Sequence, residues 1–138
     1  MSIKRTPLPL RGLRHLALLV SDIEKSQRFY EELLGMTVVW QPDPENVYLS
    51  SGTDNLALHQ KPREMPTLSD QGQRLDHFGF IAENESAVDK IAQKMASAGV
   101  PIVKPVKRHR DGSYSFYMSD PDGNVIQILY EPNISHLS

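Results

Sequence analysis

Two histidines occupy matching places in a pattern that this sequence repeats. His15 lies in an apolar, strand-like run at residues 13–20, and His77 lies in a second such run at residues 75–82. Imidazole nitrogen is a natural ligand for divalent first-row metals, and a catalytic metal site needs about three protein ligands plus an open position. One histidine in an apolar strand is usually a core residue, but two at equivalent points of a repeat leave a core role and a metal-ligand role both open.

Gln127 is a candidate for the third ligand position. It stands in the middle of the strand-like run VIQILY, on the same face as Val125 and Leu129. A glutamine there needs internal hydrogen bonds, exposure or a ligand role, because burying an unpaired amide costs free energy. In the corresponding run of the first half, NLALHQ, Ala57 and His59 share a face.

The elements that must position these residues repeat twice along the chain. Residues 21–35 predict an amphipathic helix, with Ser21 and Glu24 as its capping box, and residues 85–98 predict a second helix. Each helix follows one strand and precedes three, and the DPDGN sequence at residues 120–124 predicts a turn before the last strand. The strands predicted after the helices lie at residues 36–41, 47–51, 55–60, 102–106, 114–119 and 125–130.

This repeat predicts an α+β fold made of two βαβββ modules. Each module is too small to close a core of its own, so the two are expected to pack as a pair. The predicted modules span residues 12–62 and 74–132, with a polar linker at residues 63–73 between them and a tail at residues 133–138.

The composition excludes several classes of protein. The 138 residues carry 15 Lys and Arg against 17 Asp and Glu, a formal net charge of -2, which offers no electrostatic footprint for nucleic acid or an anionic membrane. No cysteine is present, so disulfides and thiolate chemistry are excluded and any metal must bind to His or oxygen ligands. No apolar run is long enough for a signal peptide or a membrane span, so we expect a cytoplasmic protein that binds neither nucleic acid nor membrane.

Three stretches of the sequence resemble the vicinal oxygen chelate superfamily. They are RHLALLVSDIEKSQRFYEELLGM, LDHFGFIA and MSDPDGNVIQILYEP, and the resemblance covers roughly residues 12–132. That superfamily contains glyoxalase I, fosfomycin-resistance and bleomycin-resistance proteins, and extradiol dioxygenases. The resemblance implies that the two modules form a cupped, barrel-like mixed sheet with the helices outside. It also implies that side chains from both modules hold one divalent metal in the cavity, and that the protein is a homodimer.

Position by position, the resemblance assigns His15 and His77 to the two histidine ligands of the dioxygenase and fosfomycin-resistance branches. Gln127 stands where the family ordinarily has a metal-binding Glu, and Ala57 stands where glyoxalase I supplies a further Glu. Because an amide neutralises no charge on the ion and cannot act as a base, we expect weaker metal binding and no glyoxalase-type proton abstraction by this residue. His59, on the face of Ala57, is a further candidate ligand.

A second match is KRHRDGSYSFYMSDPDG, which resembles the stretch of extradiol dioxygenases that carries an active-site His and an active-site Tyr. His109 and Tyr117 fall on those positions, and Tyr117 precedes Gln127 by ten residues. In that chemistry a His assists proton transfer and a Tyr hydrogen-bonds an oxygen of the substrate ring. The alternative is that His109 belongs to an exposed basic loop and that Tyr117 only packs.

The sequence therefore predicts a metal-dependent enzyme that acts on a small substrate with adjacent oxygens. Extradiol-type ring cleavage is the leading reaction, and the expected ion is Fe(II) or Mn(II), with Zn(II) or Ni(II) as alternatives. Two other functions stay open. One is a glyoxalase-type lyase or isomerase, and the other is a non-catalytic small-molecule binding protein of the bleomycin-resistance kind, which would need no metal.

Overall fold

The structure, a computed structural model, describes residues 13–65 and 75–134. The chain divides into two compact units, residues 1–68 and 69–138. The division falls inside the predicted linker, most of which lies outside the described residues, as does most of the predicted tail.

Each unit is a four-stranded mixed sheet with one α-helix, which confirms the predicted α+β fold of two βαβββ modules. The elements are β1 (His15–Val20), α1 (Ile23–Arg28), β2 (Thr37–Asp43), β3 (Asn46–Ser50), β4 (Asn55–Gln60), β5 (Phe78–Ile81), α2 (Glu85–Ser97), β6 (Ile102–Arg108), β7 (Tyr114–Ser119) and β8 (Val125–Tyr130). The strand order is β1-β4-β3-β2 in the first unit and β5-β8-β7-β6 in the second. The pairs β1–β4 and β5–β8 are parallel, and the other described pairs are antiparallel.

The first helix differs from the predicted one at both ends. Its N-cap is Asp22, whose carboxylate accepts a hydrogen bond from the N–H of Lys25 at 3.2 Å, so the predicted capping box at Ser21 is wrong. Residues 29–33 then form a π-helical turn, a local widening that hydrophobic periodicity does not signal. Among the described residues, no helix is long and apolar enough to cross a membrane.

Four strands differ in length from the predicted ones. β1 is two residues shorter, because it begins at His15 rather than at residue 13. β2 and β6 are longer and run through Pro42 and Pro105. Both are edge strands, and proline is tolerated there because one side of an edge strand makes no ladder hydrogen bonds. β5 is shorter than the predicted strand, so His77 lies just before it rather than inside it.

One face of each sheet packs against the helix of its own unit and forms the core. α1 packs on β4, and α2 packs on β6, β7 and β8. Because strand side chains alternate between faces, Leu58 and Ile128 are buried on this side. The alternation sends Ala57, His59 and Gln127 to the opposite side, which we call the helix-distal face.

Candidate functional site

The second unit joins four of the predicted site residues in one cluster on its helix-distal face. Tyr117 on β7 is paired directly opposite Gln127 on β8. The rings of His77 and Tyr117 form a T-shaped pair, with the ring centroids 5.2 Å apart and the ring planes at 84°. Gln127 and His109 both contact the hydroxyl of Ser115, at 3.1 Å each. The cluster therefore consists of His77, His109, Tyr117 and Gln127, with Ser115 between two of them.

His77 has one ring nitrogen engaged and the other available as a ligand. Its Nδ1 lies 2.6 Å from a carboxylate oxygen of Asp76, and its side chain is one-third exposed, at 34%. A carboxylate accepts hydrogen bonds, so Nδ1 carries the proton and neutral His77 has its lone pair on Nε2. Metal-binding histidines are typically oriented by this kind of partner.

Gly79 gives Gln127 the room that a larger residue would take. The two residues are paired across β5 and β8. A Cβ on Gly79 would lie 3.0 Å from the carbonyl oxygen of Gln127 and 3.1 Å from a methyl carbon of Leu129. Any other residue would therefore push β8 or its side chains away at the position of the predicted ligand.

A groove of about 650 Å³ opens beside the cluster in the second unit. His109 is half-buried there, so it does not simply project from an exposed loop. Cationic side chains outnumber carboxylates along the groove, which favours an anionic ligand. The lining residues are Lys107, Arg108, His109, Arg110, Asp111, Ser113, Tyr117 and Gln127.

Two of the charged groups in the groove are held by neighbours in the second unit. Arg108 forms an ion pair with Glu85 at the start of α2, with one of its N···O contacts at 2.8 Å. The hydrogen bonds of this pair lower the pKa of Glu85 and raise the pKa of Arg108. Hydrogen bonds from the hydroxyl and N–H of Ser113 lower the pKa of Asp111. Both carboxylates are therefore ionised at neutral pH.

The first unit presents His15 and His59 in similar hydrogen-bonding arrangements. Nδ1 of His15 lies 2.8 Å from the amide oxygen of Asn55, and Nδ1 of His59 lies 2.6 Å from that of Asn46. Each Nε2 is then the nitrogen that can bind a metal. His15 is paired with Asn55, and His59 lies four residues further along β4, about 13 Å at strand spacing. The structure therefore does not bring the two histidines of this unit together.

The predicted ligands carry donor atoms whose chemistry suits a divalent cation, His15 in the first unit and His77 and Gln127 in the second. In neither unit do three His, Asp or Glu side chains of the described residues come close enough to hold a metal on their own. The predicted ligands supply imidazole nitrogen from His15 and His77 and amide oxygen from Gln127. Imidazole and oxygen ligands suit Fe(II), Mn(II), Zn(II) and Ni(II), and a neutral set leaves the charge of the ion uncompensated.

Ser115 and Asp76 are residues of the cluster that sequence reasoning missed. Ser115 stands two positions before Tyr117, so strand alternation alone places it on the same face. Asp76 directly precedes His77, and a carboxylate beside a candidate metal ligand is a recognisable signal. Gly79, two residues after His77, carried a similar signal, since a glycine inside a strand often marks a close backbone approach.

Comparison with known proteins gives the family to which the fold of two βαβββ units belongs. The chain belongs to the Glyoxalase/Bleomycin resistance protein/Dioxygenase superfamily, whose model matches residues 12–128. This confirms the resemblance that the sequence motifs showed.

Three relatives illustrate the range of that family. Glutathione transferase FosA of Serratia marcescens is 32% identical over 122 residues, covering 86% of this chain and 80% of FosA. Virulence protein STM3117 of Salmonella typhimurium is 35% identical over 118 residues, covering 83% of this chain and 80% of that protein. The crystal structure of STM3117 matches with a TM-score of 0.66 at 29% identity, over 90% of this chain and 99% of that one. The 2,2',3-trihydroxybiphenyl dioxygenase of Sphingomonas paucimobilis is 27% identical over 122 residues, or 85% of this chain but 40% of the dioxygenase.

Proposed function

We propose that this protein is a divalent-metal-dependent enzyme that acts on a small anionic substrate with adjacent oxygens. The observation that carries the proposal is the cluster of His77, Tyr117, Gln127 and His109 beside a groove rich in cationic side chains. The groups on this face can bind, orient and exchange protons with such a substrate. Membership of the superfamily supports the same class of chemistry.

His15, His77 and Gln127 stay the predicted metal ligands. When bound, a divalent metal would act as a Lewis acid that binds and polarises the substrate oxygens. The hydrogen bonds of His15 with Asn55 and of His77 with Asp76 leave an Nε2 lone pair on each ring. Fe(II) or Mn(II) is the ion that we expect, with Zn(II) and Ni(II) as alternatives.

The other groups of the cluster have separable roles toward the substrate. The Tyr117 hydroxyl can donate a hydrogen bond to a substrate oxygen. Its ring contacts the ring of His77 and has the ammonium of Lys104 5.2 Å from its centroid. His109 can hold or release a proton at Nδ1, because its Nε2 contacts Ser115. Lys107 and Arg110 supply positive charge for an anionic group.

Ring cleavage of a catechol-type substrate is the reaction that His109 and Tyr117 favour. A proton-transferring imidazole and a phenol that hydrogen-bonds a ring oxygen are the two protein groups that such chemistry uses beside its metal. Both line the same groove in the second unit.

Transfer of a thiol to an anionic substrate is the second candidate. The match to a glutathione transferase covers four-fifths of that protein, whereas the match to the dioxygenase covers less than half of it. Gln127 does not separate the two candidates, because the metal-binding Glu that it replaces is ordinary in the family as a whole. A strongly electrophilic metal and a cationic groove suit addition of a nucleophile to an anion.

Metal analysis of the freshly purified protein tests the class of function. We expect a bound divalent ion or a measurable affinity for one, and we expect Gln127→Glu to tighten binding by about tenfold or more, since a charged ligand replaces a neutral one. Gln93→Glu makes the same chemical change on the exposed side of α2 and should leave metal binding unaltered. A protein with no metal affinity in either the wild type or Gln127→Glu would contradict the proposal.

Two assays then separate the candidate reactions. Equimolar oxygen uptake with 2,2',3-trihydroxybiphenyl supports ring cleavage, and loss of glutathione thiol in the presence of fosfomycin supports thiol transfer. A hemithioacetal assay tests the glyoxalase-type alternative. Stabilisation by a ligand without turnover, and without any effect of a chelator on the Tm, would show a binding protein instead. The predicted homodimer stays a prediction that light scattering checks.

A further inference from the structure

We infer that Ser115 is a positioning residue that sets which atom of the Gln127 amide is available to a ligand. The inference rests on the proposed function, because it concerns the predicted ligand role of Gln127. It makes a distinct claim, however, since it assigns the orientation of a side chain to a residue outside the predicted ligand set.

Ser115 has the burial and the contacts that this role requires. It is 1% exposed, so water does not compete for its hydroxyl. The amide nitrogen of Gln127 donates a hydrogen bond to its Oγ at 3.1 Å, and Nε2 of His109 lies 3.1 Å from the same oxygen. Ser115 is paired with Leu129, two residues beyond Gln127, so its side chain reaches the amide along a diagonal of the antiparallel pair.

The donors and acceptors of these three groups form a complete chain when His109 carries its ring proton on Nδ1. A hydroxyl has one proton to donate and two lone pairs that accept. The –NH2 of Gln127 can only donate to Ser115, which leaves the hydroxyl proton to be donated to the bare Nε2 of that His109 tautomer. Ser115 therefore accepts from one neighbour and donates to the other, which fixes its own rotamer and orients the amide of Gln127.

The consequence for Gln127 is specific to an amide. With the nitrogen turned toward Ser115, the opposite atom of the amide is Oε1, the only atom of the group that can ligate a cation. If the amide turned over, it would present –NH2, which repels a cation. A carboxylate has two equivalent oxygens and needs no such orientation, so the role of Ser115 exists only because residue 127 is Gln.

The first test measures the amide in the metal-free protein. In the wild type, the side-chain NH2 protons of Gln127 should show slow solvent exchange in 1H–15N NMR spectra, and Ser115→Ala should speed their exchange by about fivefold, the effect of losing one net hydrogen bond. Ser119→Ala removes a hydroxyl from the same face of β7 without touching Gln127, and should leave the exchange unchanged. Ser115→Thr keeps the hydroxyl and should restore slow exchange. Equal exchange in the wild type and Ser115→Ala would overturn the inference.

The second test compares metal affinity in two backgrounds. With Mn(II) as the probe, Ser115→Ala should weaken binding by about three- to tenfold in the wild type and have little effect in Gln127→Glu, where no amide needs orienting. An equal loss in both backgrounds would show a general structural role and overturn the inference. If neither the wild type nor Gln127→Glu binds a divalent metal, the proposed function fails, and the exchange measurement alone decides the role of Ser115.

Discussion

Each unit has a row of four paired positions that crosses its sheet, one position on each strand. The positions are equivalent in the two units, but the side chains that occupy them differ. In each row the third residue is a tyrosine that stands directly opposite the second. The first row consists of two alanines and two aromatic residues, whereas the second row has a polar residue, Gln127, and a charged residue, Lys104, at two of its four positions. The rows are Ala17–Ala57–Tyr48–Trp40 in the first unit and Gly79–Gln127–Tyr117–Lys104 in the second.

The shared tyrosine shows what the difference means. Tyr48 stacks against Trp40 with ring centroids 4.9 Å apart, whereas Tyr117 has the ammonium of Lys104 5.2 Å from its ring centroid. Beside it in the row, Tyr48 has the buried Ala57 and Tyr117 has Gln127. One backbone pattern therefore carries an aromatic surface in one unit and a polar cluster in the other.

The units also differ in how the start of each helix is held. In the first unit, the side-chain oxygen of Gln60 accepts a hydrogen bond from the N–H of Ile23 at 2.8 Å, and its nitrogen donates to the carbonyl of Ser21 at 2.7 Å. In the second unit, the ion pair of Arg108 and Glu85 ties β6 to α2. In each unit a strand residue is therefore bonded to the start of the helix, through a neutral amide in the first unit and through an ion pair in the second. Only the ion pair responds to pH.

The largest expected effect tests what the units have in common. Leu58 and Ile128 occupy matching buried positions of β4 and β8. Leu58→Ala and Ile128→Ala should each lower the free energy of unfolding by about 2 to 5 kcal/mol, because each removes apolar contacts and leaves a cavity. Urea titration measures both. A cost below about 1 kcal/mol for only one variant would break the equivalence of the two cores.

Substituting the second residue of each row should affect the stability of the protein in the first unit and its metal affinity in the second. Ala57→Gln places a longer polar side chain at a fully buried position and should cost about 1 to 3 kcal/mol of stability. Gln127→Ala should leave most of the stability and weaken divalent-metal affinity by about tenfold, if the amide is a ligand. Urea titration and calorimetric metal titration measure the pair. Equal metal affinity in wild type and Gln127→Ala would remove Gln127 from the ligand set.

The fourth residue of the rows should matter less, because both side chains are on edge strands. Trp40→Leu loses the ring contact with Tyr48 and should cost about 1 kcal/mol. Lys104→Met loses the contact with the ring of Tyr117 and should cost about 0.5 kcal/mol. Urea titration followed by circular dichroism measures both, since Trp40 is the single tryptophan and its loss removes the fluorescence signal. A larger cost at Lys104 than at Trp40 would reverse this ranking.

The smallest expected effect is the pH dependence of the ion pair. The hydrogen bond from Arg108 lowers the pKa of Glu85 in the folded protein. The ion pair therefore contributes to stability above the ordinary pKa of glutamate, and this contribution is lost as the pH falls through the lowered pKa of Glu85. The stability difference between the wild type and Glu85→Gln should shrink from neutral pH to about pH 3. Gln60→Ala serves as the control, because its difference from the wild type should not follow the titration of glutamate.

Much of the fold was predictable because its signals are local. Alternation over six residues gave β4, β7 and β8 with the bounds that the structure shows, and the apolar face of α2 gave that helix to within one residue. The π-helical turn after α1 was not predictable, because an apolar face looks alike in both helix types over a few residues. The predicted N-cap was wrong because Ser21 and Asp22 are both good capping residues, and only the backbone conformation determines which of them caps the helix.

The sequence by itself determined the residue types of the candidate cluster and the sheet face of most of them. Strand alternation assigns Tyr117, Ser115 and Gln127 to faces with no knowledge of neighbouring strands. Tertiary structure decided which of them touch, because alternation does not set the register between strands. The register of β7 on β8 places Gln127 opposite Tyr117 and within reach of Ser115. The register of β1 on β4 separates His15 from His59, although both carry the same ligand chemistry.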